Sequence, residues 1–320
     1  MAAESGTPCA TLWPVDRDGE NPWSVMTWNV HGSERPDVDA VAAAIRVEAP
    51  DVVVLQEIRE RQAGQLSTAL SMRYSWALKH SPYTRLMPWR SEGMAIMTPH
   101  ALGAPGHTEI SEGQPMRSWR RRIAQWALVG RPDRSLAMIV NLHLSPHEDA
   151  ESRRSEAQRV DEIVSAIGDE QFVVVAGDFN DADDPTIIGI LPGIEHVVPG
   201  PTNPADRPTQ LLDHVLLPAV ATDVSVTVPA GGADWAAVSD HLPVTVRFCV
   251  TSGVRPAMYT SLLLLGLGGS GHEDALGERV VEIRLGDLGR HLERRRDLRD
   301  QVDPGPLVHR AYRRRQRRIA

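Results

Sequence analysis

Carboxylate, amide and imidazole side chains recur in this sequence where short apolar runs begin or end. The positions are Asp178 with Asn180, Asp213 with His214, and Asp240 with His241. Such groups can ligate cations and can accept or donate protons. If the apolar residues 172–176 form a strand, its two-residue period directs Asp178 and Asn180 to the same side. The pattern therefore predicts a polar site built on strand ends.

The surrounding sequence predicts the elements that position these side chains. The order strand, helix, strand occurs twice, at residues 23–30, 37–49 and 51–57 and again at 135–145, 150–167 and 172–177. Polar side chains end the strands of both units, with Asn29 and Glu57 in the first and His143, Asp178 and Asn180 in the second. Because sites assemble at the carboxyl ends of strands in open α/β sheets, we expect two halves that face one shared cleft.

Weaker patterns extend this organisation in both directions. A helix is predicted at residues 59–71, with strands at 93–98, 123–129 and 211–217 and a last strand ending at 248. Residues 1–22 are polar and contain prolines, which predicts a loosely attached arm. Residues 249–320 are interrupted by glycine and rich in arginine, which predicts a tail of low order. One domain is therefore expected over residues 23–248.

Composition narrows the function classes. The chain of 320 residues is 42% hydrophobic and carries a formal net charge of −8, which argues against broad nonspecific adhesion to nucleic acid. Two cysteines without metal-ligand spacing, no secretory signal and no long apolar run together predict a cytoplasmic protein without a membrane span. Lys79 is the only lysine, which we ascribe to an arginine-rich composition and not to a function.

Six motifs, taken together and in order, resemble the endonuclease/exonuclease/phosphatase superfamily. They are TWNV (27–30), LQE (55–57), NLHL (141–144), GDFN (177–180), LDHV (212–215) and SDHLPV (239–244). The resemblance covers residues 23–248. It implies an α/β fold, a four-layer α/β/β/α sandwich in which two mixed β-sheets pack face to face.

The resemblance also implies a set of site residues. Asn29 and Glu57 would hold a divalent cation, Mg²⁺ or Mn²⁺, with Asp240 nearby. The roles implied for the other positions are these: Asp178 and Asn180 position the attacking water, His143 donates to a phosphate oxygen, and Asp213 orients His241. Whether Asp178 or His241 takes the proton of the water stays open. All of these types suit phosphoryl transfer, which depends on positioning and charge stabilisation.

Two positions depart from the family pattern. His31 stands where apurinic-site endonucleases tend to carry a carboxylate or an amide, and Met94 replaces an asparagine common in the middle strand. Both departures weaken an assignment to the DNA-repair branch. The histidines outside the motifs are predicted to lie at the surface: His80, His100, His107, His147 and His196.

Two aromatic and basic stretches are candidates for contact with substrate. The residues are Arg90, Trp119, Arg121 and Arg122, which on an exposed rim could stack on bases and bind phosphates. The alternative is buried tryptophans beside solvated arginines.

We therefore predict a metal-dependent phosphoesterase, with nucleic acid as the first candidate substrate and a phosphorylated lipid, inositol or nucleotide as the second. A catalytically inactive binding module is disfavoured, because no expected carboxylate, asparagine or histidine is missing.

Overall fold

The computed structural model describes residues 22–80, 91–111, 121–146, 149–166, 171–181, 187–190, 194–196 and 199–250. Its strands are β1 (Trp23–Asn29), β2 (Val52–Ile58), β3 (Arg73–His80), β4 (Glu92–Thr98), β5 (Ala101–Glu109), β6 (Ile123–Gly130), β7 (Leu136–His143), β8 (Phe172–Asp178), β9 (Ile194–His196), β10 (Asp213–Pro218), β11 (Ala221–Thr227) and β12 (Val244–Val250). Its α-helices are α1 (Val38–Glu48), α2 (Glu60–Leu70), α3 (Ala150–Ala166) and α4 (Ala233–Ala236).

The strands form two six-stranded sheets. The first has the order β11-β12-β1-β2-β4-β3, and the second has the order β5-β6-β7-β8-β10-β9. In each sheet one central pair is parallel, β1 with β2 and β7 with β8. The neighbouring pairs are antiparallel, so both sheets are mixed. Each parallel pair is joined by a helical crossover, α1 or α3, which is the duplicated unit predicted from the sequence.

Alternating side chains of the central strands divide the core into three layers. Val25, Val54, Ile139 and Val174 are among the residues buried between the two sheets. On the outer face of the first sheet, the neighbours of these residues pack against α1 and α2, and on the outer face of the second sheet they pack against α3. Because both faces of these strands are covered, their sequences are continuously apolar. The arrangement is the predicted four-layer α/β/β/α sandwich.

A buried polar network joins the two sheets beneath the strand ends. Nε2 of Gln56 on β2 donates to Oδ1 of Asn141 on β7 at 2.8 Å and to Oγ1 of Thr27 at 3.2 Å. Nδ2 of Asn141 lies 3.1 Å from two backbone carbonyls of the first sheet, those of Leu55 and Ala95. Hydrogen bonds in an interior that excludes water form only at favourable distances and angles. We infer that this network sets the register of one sheet on the other.

Most of the predicted elements are present within a residue or two of their expected bounds. The last strand continues to Val250, two residues beyond the expected end of the domain, and Cys249 within it is buried. The described residues do not include 1–21 or 251–320. The predicted arm and tail therefore lie outside the description, apart from Pro22 and the end of β12. In the part of the chain that the structure describes, no helix is both long and apolar enough to cross a bilayer. The cytoplasmic location stays a prediction.

Candidate active site

The predicted polar side chains meet at one edge of the sandwich because of strand direction. Asn29, His143 and Asp178 are the last residues of β1, β7 and β8. His143 is registered against Asp178 in the parallel pair, and Asp213, the first residue of the antiparallel strand β10, is registered against Asp178 from the other side. Asp178 therefore lies between His143 and Asp213 at the centre of the second sheet.

A carboxylate and an imidazole from different segments form a buried hydrogen-bonded pair in the site. Nδ1 of His241 lies 2.8 Å from Oδ2 of Asp213, and both residues are buried. Burial by itself would lower the pKa of the His241 imidazole, but the charges of Asp213 and Asp178 raise this pKa to about 10. His241 is therefore an imidazolium at neutral pH, and its Nδ1–H donates to Asp213.

Asp178 is buried among groups of both signs. Its Oδ2 accepts a hydrogen bond of 3.0 Å from Nδ2 of Asn29 and lies 3.9 Å from Nε2 of His241 and 3.7 Å from Nε2 of His143. Burial raises the pKa of the Asp178 carboxyl to about 6, against the lowering effect of the His241 charge. The carboxyl is thus ionised at neutral pH but is much more basic than an exposed aspartate.

The GDFN segment has a conformation that its glycine makes possible. Gly177 has φ +154° and lies so close to the backbone of Leu142 on β7 that a Cβ would overlap it. Asn180 lies beyond the strand in a left-handed conformation (φ 52°), where its N–H donates to Oδ1 of Asp178 and its Nδ2 donates to the carbonyl of Leu144. The turn holds Asn180 against Asp178, and strand alternation does not, since β8 ends at Asp178.

Glu57 is presented by an irregularity in β2. The pairing of β2 with β4 shifts register between Leu55 and Ile58, and Glu57 has φ 53°, which is unusual for a residue other than glycine. Its side chain is 23% exposed and its Oε1 lies 3.8 Å from Nε2 of His143. A Cβ at Gly32 would overlap the carbonyl of Glu57, so glycine is required at that position. The bulge therefore presents the Glu57 carboxylate toward the cleft.

His31 connects the residues expected to surround the cation. Its Nδ1 lies 3.2 Å from Oδ1 of Asp240, and its N–H donates to Oδ1 of Asn29 at 3.1 Å. The hydrogen bond to Asp240, together with the charge of Glu57, raises the pKa of the His31 imidazole against the effect of burial. The departure from the family pattern at residue 31 is thus an imidazole that pairs with one of the expected ligands.

Two hydroxyl groups that sequence reasoning did not assign hold the Asp213–His241 pair. Thr202 donates to Oδ2 of Asp213 at 2.6 Å, and its own carbonyl accepts from the N–H of Leu242. Ser239 donates to the carbonyl of Asn29 at 2.7 Å and accepts from the N–H of His241 at 3.2 Å. Thr202 stands in no motif and gave no signal in the sequence. Ser239 belongs to the motif SDHLPV, and this membership was the only indication of its role in the sequence.

The donor set at this edge fits a divalent cation. Four carboxylates lie here, those of Glu57, Asp178, Asp213 and Asp240, and the charges of Asp213 and Glu57 help to raise the pKa of Asp178. Among the described residues, Oδ1 of Asp213 is buried without a hydrogen-bond partner. Crowded carboxylate and amide oxygens are what Mg²⁺ and Mn²⁺ prefer. The residues present therefore suit such an ion.

The tightest cluster of potential ligands differs from the predicted set. Within the described ranges, ligand atoms of Asp178, Asp213 and His241 lie within 4.8 Å of one another. Two members of this cluster are already paired with each other, since Nδ1 of His241 lies 2.8 Å from Oδ2 of Asp213. The cluster as it stands therefore suits proton transfer. Asn29, Glu57 and Asp240 stay the predicted cation ligands.

Sequence reasoning also missed a cation beside His143. Lys79, the only lysine, is 1% exposed, and its Nζ lies 3.2 Å from Nδ1 of His143 and 2.5 Å from Oε1 of Glu92. Burial lowers the pKa of the His143 imidazole well below its ordinary value, and the Lys79 charge lowers it further. The expectation that His80 lies at the surface is wrong, because the residue is buried, with its ring 3.7 Å from Glu92. Lys79 and His80 both lie at the end of β3, where this strand meets the second sheet.

The predicted substrate contacts are only partly within the described residues. Arg90 and Trp119 lie outside them. Nε of Arg121 lies 3.7 Å from a carboxylate oxygen of Glu109, and both side chains are half-buried. Arg122 is 7% exposed, so it does not stand on an exposed rim. The rim predicted from the two basic stretches is therefore not formed by Arg122.

The sequence profile of the Endonuclease/Exonuclease/phosphatase family matches residues 26–241, which is most of the described domain. The chain belongs to this family. Its members are hydrolases that act on phosphoesters, and the six motifs of this family protein all lie in the matched segment or end just beyond it. No curated protein is similar enough in sequence to count as a match.

Solved structures of other family proteins share the fold of this endonuclease/exonuclease/phosphatase family protein. One from Bacteroides vulgatus has a TM-score of 0.61 at 19% identity over 72% of this chain and 100% of that one. The mannosyl-6-phosphatase of Bacteroides thetaiotaomicron has 0.55 at 18% identity over 71% and 99%. TDP2 of Caenorhabditis elegans has 0.54 at 17% identity over 72% and 75%. At such identities the likeness concerns the fold alone.

Proposed function

We propose that this chain is a divalent-metal-dependent phosphoesterase that hydrolyses its substrate by in-line attack of water. The observation that carries the proposal is the convergence of Asp178, Asp213–His241 and His143 at one edge, beside the oxygen ligands Glu57 and Asn29. An acceptor, a cationic donor and a neutral donor thus meet at one edge of the sandwich. Phosphoryl transfer needs this set of charges around the phosphorus.

The two candidates for the general base differ in their charge. His241 already carries a proton at neutral pH, so it suits donation to a phosphate oxygen or to the leaving group. Asp178 is ionised and has a pKa raised to about 6 by burial, so it can accept the proton of the attacking water. These charges support Asp178 as the base. Asp213 holds the His241 ring in place and stabilises its positive charge.

The remaining residues bind and orient. Asn29 donates to Asp178 through Nδ2, which keeps that carboxylate turned toward the cleft. Asn180 is held beside Asp178 by its own turn, where it can contact the attacking water. A cation held by Glu57, Asn29 and Asp240 would neutralise phosphate charge when bound. His143 can donate from Nε2 to a non-bridging phosphate oxygen.

For substrate class, the contacts of the two arginines support a small phosphorylated molecule over nucleic acid. A nucleic-acid groove needs several free cations along the phosphate backbone. Arg121 lies near Glu109 and Arg122 is buried, so neither offers the exposed charge that was expected of them. The mannosyl-6-phosphatase with the same fold has a small phosphorylated sugar in its name. We therefore place a phosphomonoester or a small diester first.

An apolar groove elsewhere does not bear on this choice. It has a volume of about 340 Å³ and lies between α1, α4 and strand β12, with Trp28, Val47 and Trp235 in its lining. None of the catalytic or metal-ligating candidates lines it. A closed apolar pocket at the site would favour a phosphorylated lipid, inositol or nucleotide as substrate, but this groove is not at the site.

A panel of substrates with and without a chelator tests the proposal. DNA, RNA, inositol phosphates, sphingomyelin and a hexose 6-phosphate are incubated with the protein and Mg²⁺ or Mn²⁺, and release of product is measured. We expect hydrolysis of at least one small phosphoester that stops with chelator and with Asp178→Asn. Hydrolysis that persists in chelator would contradict metal dependence, and no hydrolysis of any phosphoester would contradict the proposal.

A further inference from the structure

The side chain of Lys79 is built into the interior beside His143, although it belongs to neither the motifs nor the roles assigned above. It is 2% exposed and touches two groups, the Glu92 carboxylate at 2.5 Å and Nδ1 of His143 at 3.2 Å. Burying an ammonium group is costly unless it is paired and hydrogen-bonded. The packing of the fold alone therefore does not explain why a lysine is buried in this place.

The backbone around Lys79 is irregular in the same way as the backbone around Glu57. Leu78 pairs with Gly93 and His80 pairs with Glu92, so Lys79 is the extra residue of a bulge in β3. On the other side of β4, strand β2 also bulges, between Leu55 and Ile58, and Ile58 pairs with the same Gly93. Bulges redirect side chains and are frequent beside active sites. The bulges of β3 and β2 lie at the same level of the sheet and flank His143.

The chemistry of the contact fixes the direction of the hydrogen bond. An ammonium group has three N–H donors and no acceptor, and Oε1 of Glu92 accepts one of these donors from Lys79 at 2.5 Å. Nζ of Lys79 must therefore donate to Nδ1 of His143. A ring nitrogen that accepts carries no proton, so the single proton of the neutral imidazole lies on Nε2.

We propose that Lys79, held by Glu92, is a positioning residue that fixes His143 in the Nε2–H tautomer and turns this N–H toward the reacting phosphate. Nε2 lies 3.8 Å from Oε1 of Glu57 and 3.7 Å from Oδ2 of Asp178, too far for good hydrogen bonds to either. The N–H thus faces the space between the cation ligand and the proposed base. The inference rests on the proposed function, and it assigns to the only lysine a role through His143.

Determination of the His143 tautomer by NMR tests the proposal without any measurement of activity. The protein is labelled with ¹⁵N-histidine, the His143 resonances are assigned by their loss in His143→Asn, and the two ring nitrogens are observed by long-range ¹⁵N–¹H correlation near neutral pH. We expect a protonated Nε2 and an unprotonated Nδ1. Protonation at Nδ1 alone, or at both nitrogens, would overturn the proposal even if the chain is an active phosphoesterase.

Two double variants separate the donated hydrogen bond from charge and volume. Lys79→Met with Glu92→Gln removes the donor together with both charges, whereas Lys79→Gln with Glu92→Gln removes the charges and keeps an N–H that can reach Nδ1. We expect the first variant to lose about 10- to 100-fold in kcat and to populate the Nδ1–H tautomer, as for other outer residues that orient a functional histidine. The second should keep the Nε2–H tautomer and most of kcat.

Arg247→Met is the matched control for loss of a paired cation. Arg247 lies 3.0 Å from Glu48 on the other side of the first sheet. We expect it to leave the His143 resonances and kcat unchanged. Equal kcat and equal tautomers in both double variants and the parent would refute the positioning role. If the first double variant does not fold, the tautomer in the parent and in the second variant still decides.

Discussion

Nδ1 of His241 lies 2.8 Å from Oδ2 of Asp213, in a contact buried from solvent and joined by the hydroxyl of Thr202. The pair spans the two sheets: Asp213 begins β10 in the second, and His241 precedes β12 in the first. The backbone of His241 is in turn tied to β1, since its carbonyl accepts from Nε1 of Trp28 at 2.8 Å. The site therefore depends on how the sheets face each other.

Asp213→Asn should lower turnover strongly and leave the metal requirement unchanged. The amide keeps the shape of the side chain but removes the charge that holds the His241 proton, so the cationic donor is lost. By comparison with other positioned acid–base groups, we expect kcat to fall about 100-fold or more. Steady-state kinetics at saturating Mg²⁺ measure this. Asp223→Asn, at an exposed position of β11, is the control and should behave as the parent. Near-parental turnover of Asp213→Asn would contradict the role of the pair.

Glu57→Gln should raise the metal concentration that gives half-maximal activity. The substitution keeps the size of the side chain while removing the charge expected to bind the cation. Titration with Mg²⁺ at fixed substrate measures the midpoint. Glu109→Gln, which removes a half-exposed carboxylate near Arg121, is the matched control. An unchanged midpoint in Glu57→Gln would show that the cation is held by other residues.

The dependence of activity on pH should identify the base. If Asp178 accepts the proton of water, log(kcat/KM) falls by about one unit per pH unit below about 6, because protonation of this carboxyl removes the acceptor. A second loss is expected above about 10, where the His241 imidazolium gives up its proton. Asp213→Asn should move this upper limb to lower pH, since the raising charge is gone. Activity that instead appears only as His241 deprotonates would assign the base role to His241.

A chain shortened to residues 1–252 should fold and keep its activity. The last motif ends at Val244, and β12 ends at Val250 with its partner Ala221 still present. The residues that follow are interrupted by glycine and rich in arginine. We expect a cooperative melt with the parental midpoint, measured by circular dichroism, and parental turnover of a small phosphoester. An insoluble product, or a large fall of the melting temperature, would place part of the region after 252 in the core.

Local patterns explain why so much of the fold followed from the sequence. The covered central strands are continuously apolar, and α1 begins at a recognisable cap, Asp37, whose side chain accepts from the N–H of Asp39. Edge strands were not recognised. In β5, a proline and two glycines suggest a turn, yet the strand pairs with β6 across a register shift between Gly103 and Gly106. An edge position tolerates proline, because one side of the strand has no partner.

The sequence alone determined the family resemblance, the two strand–helix–strand units and the residue types of the site, since motifs and periodicity are properties of neighbouring residues. Tertiary structure decided the rest. The pairing of Lys79 with Glu92 and His143 depends on two bulges and a second sheet, and the hydroxyl of Thr202 reaches Asp213 through a loop outside every motif. The raised pKa values of Asp178 and His241 likewise come from burial and from charges on strands distant in the chain. Such effects arise only when the two sheets exclude water between them.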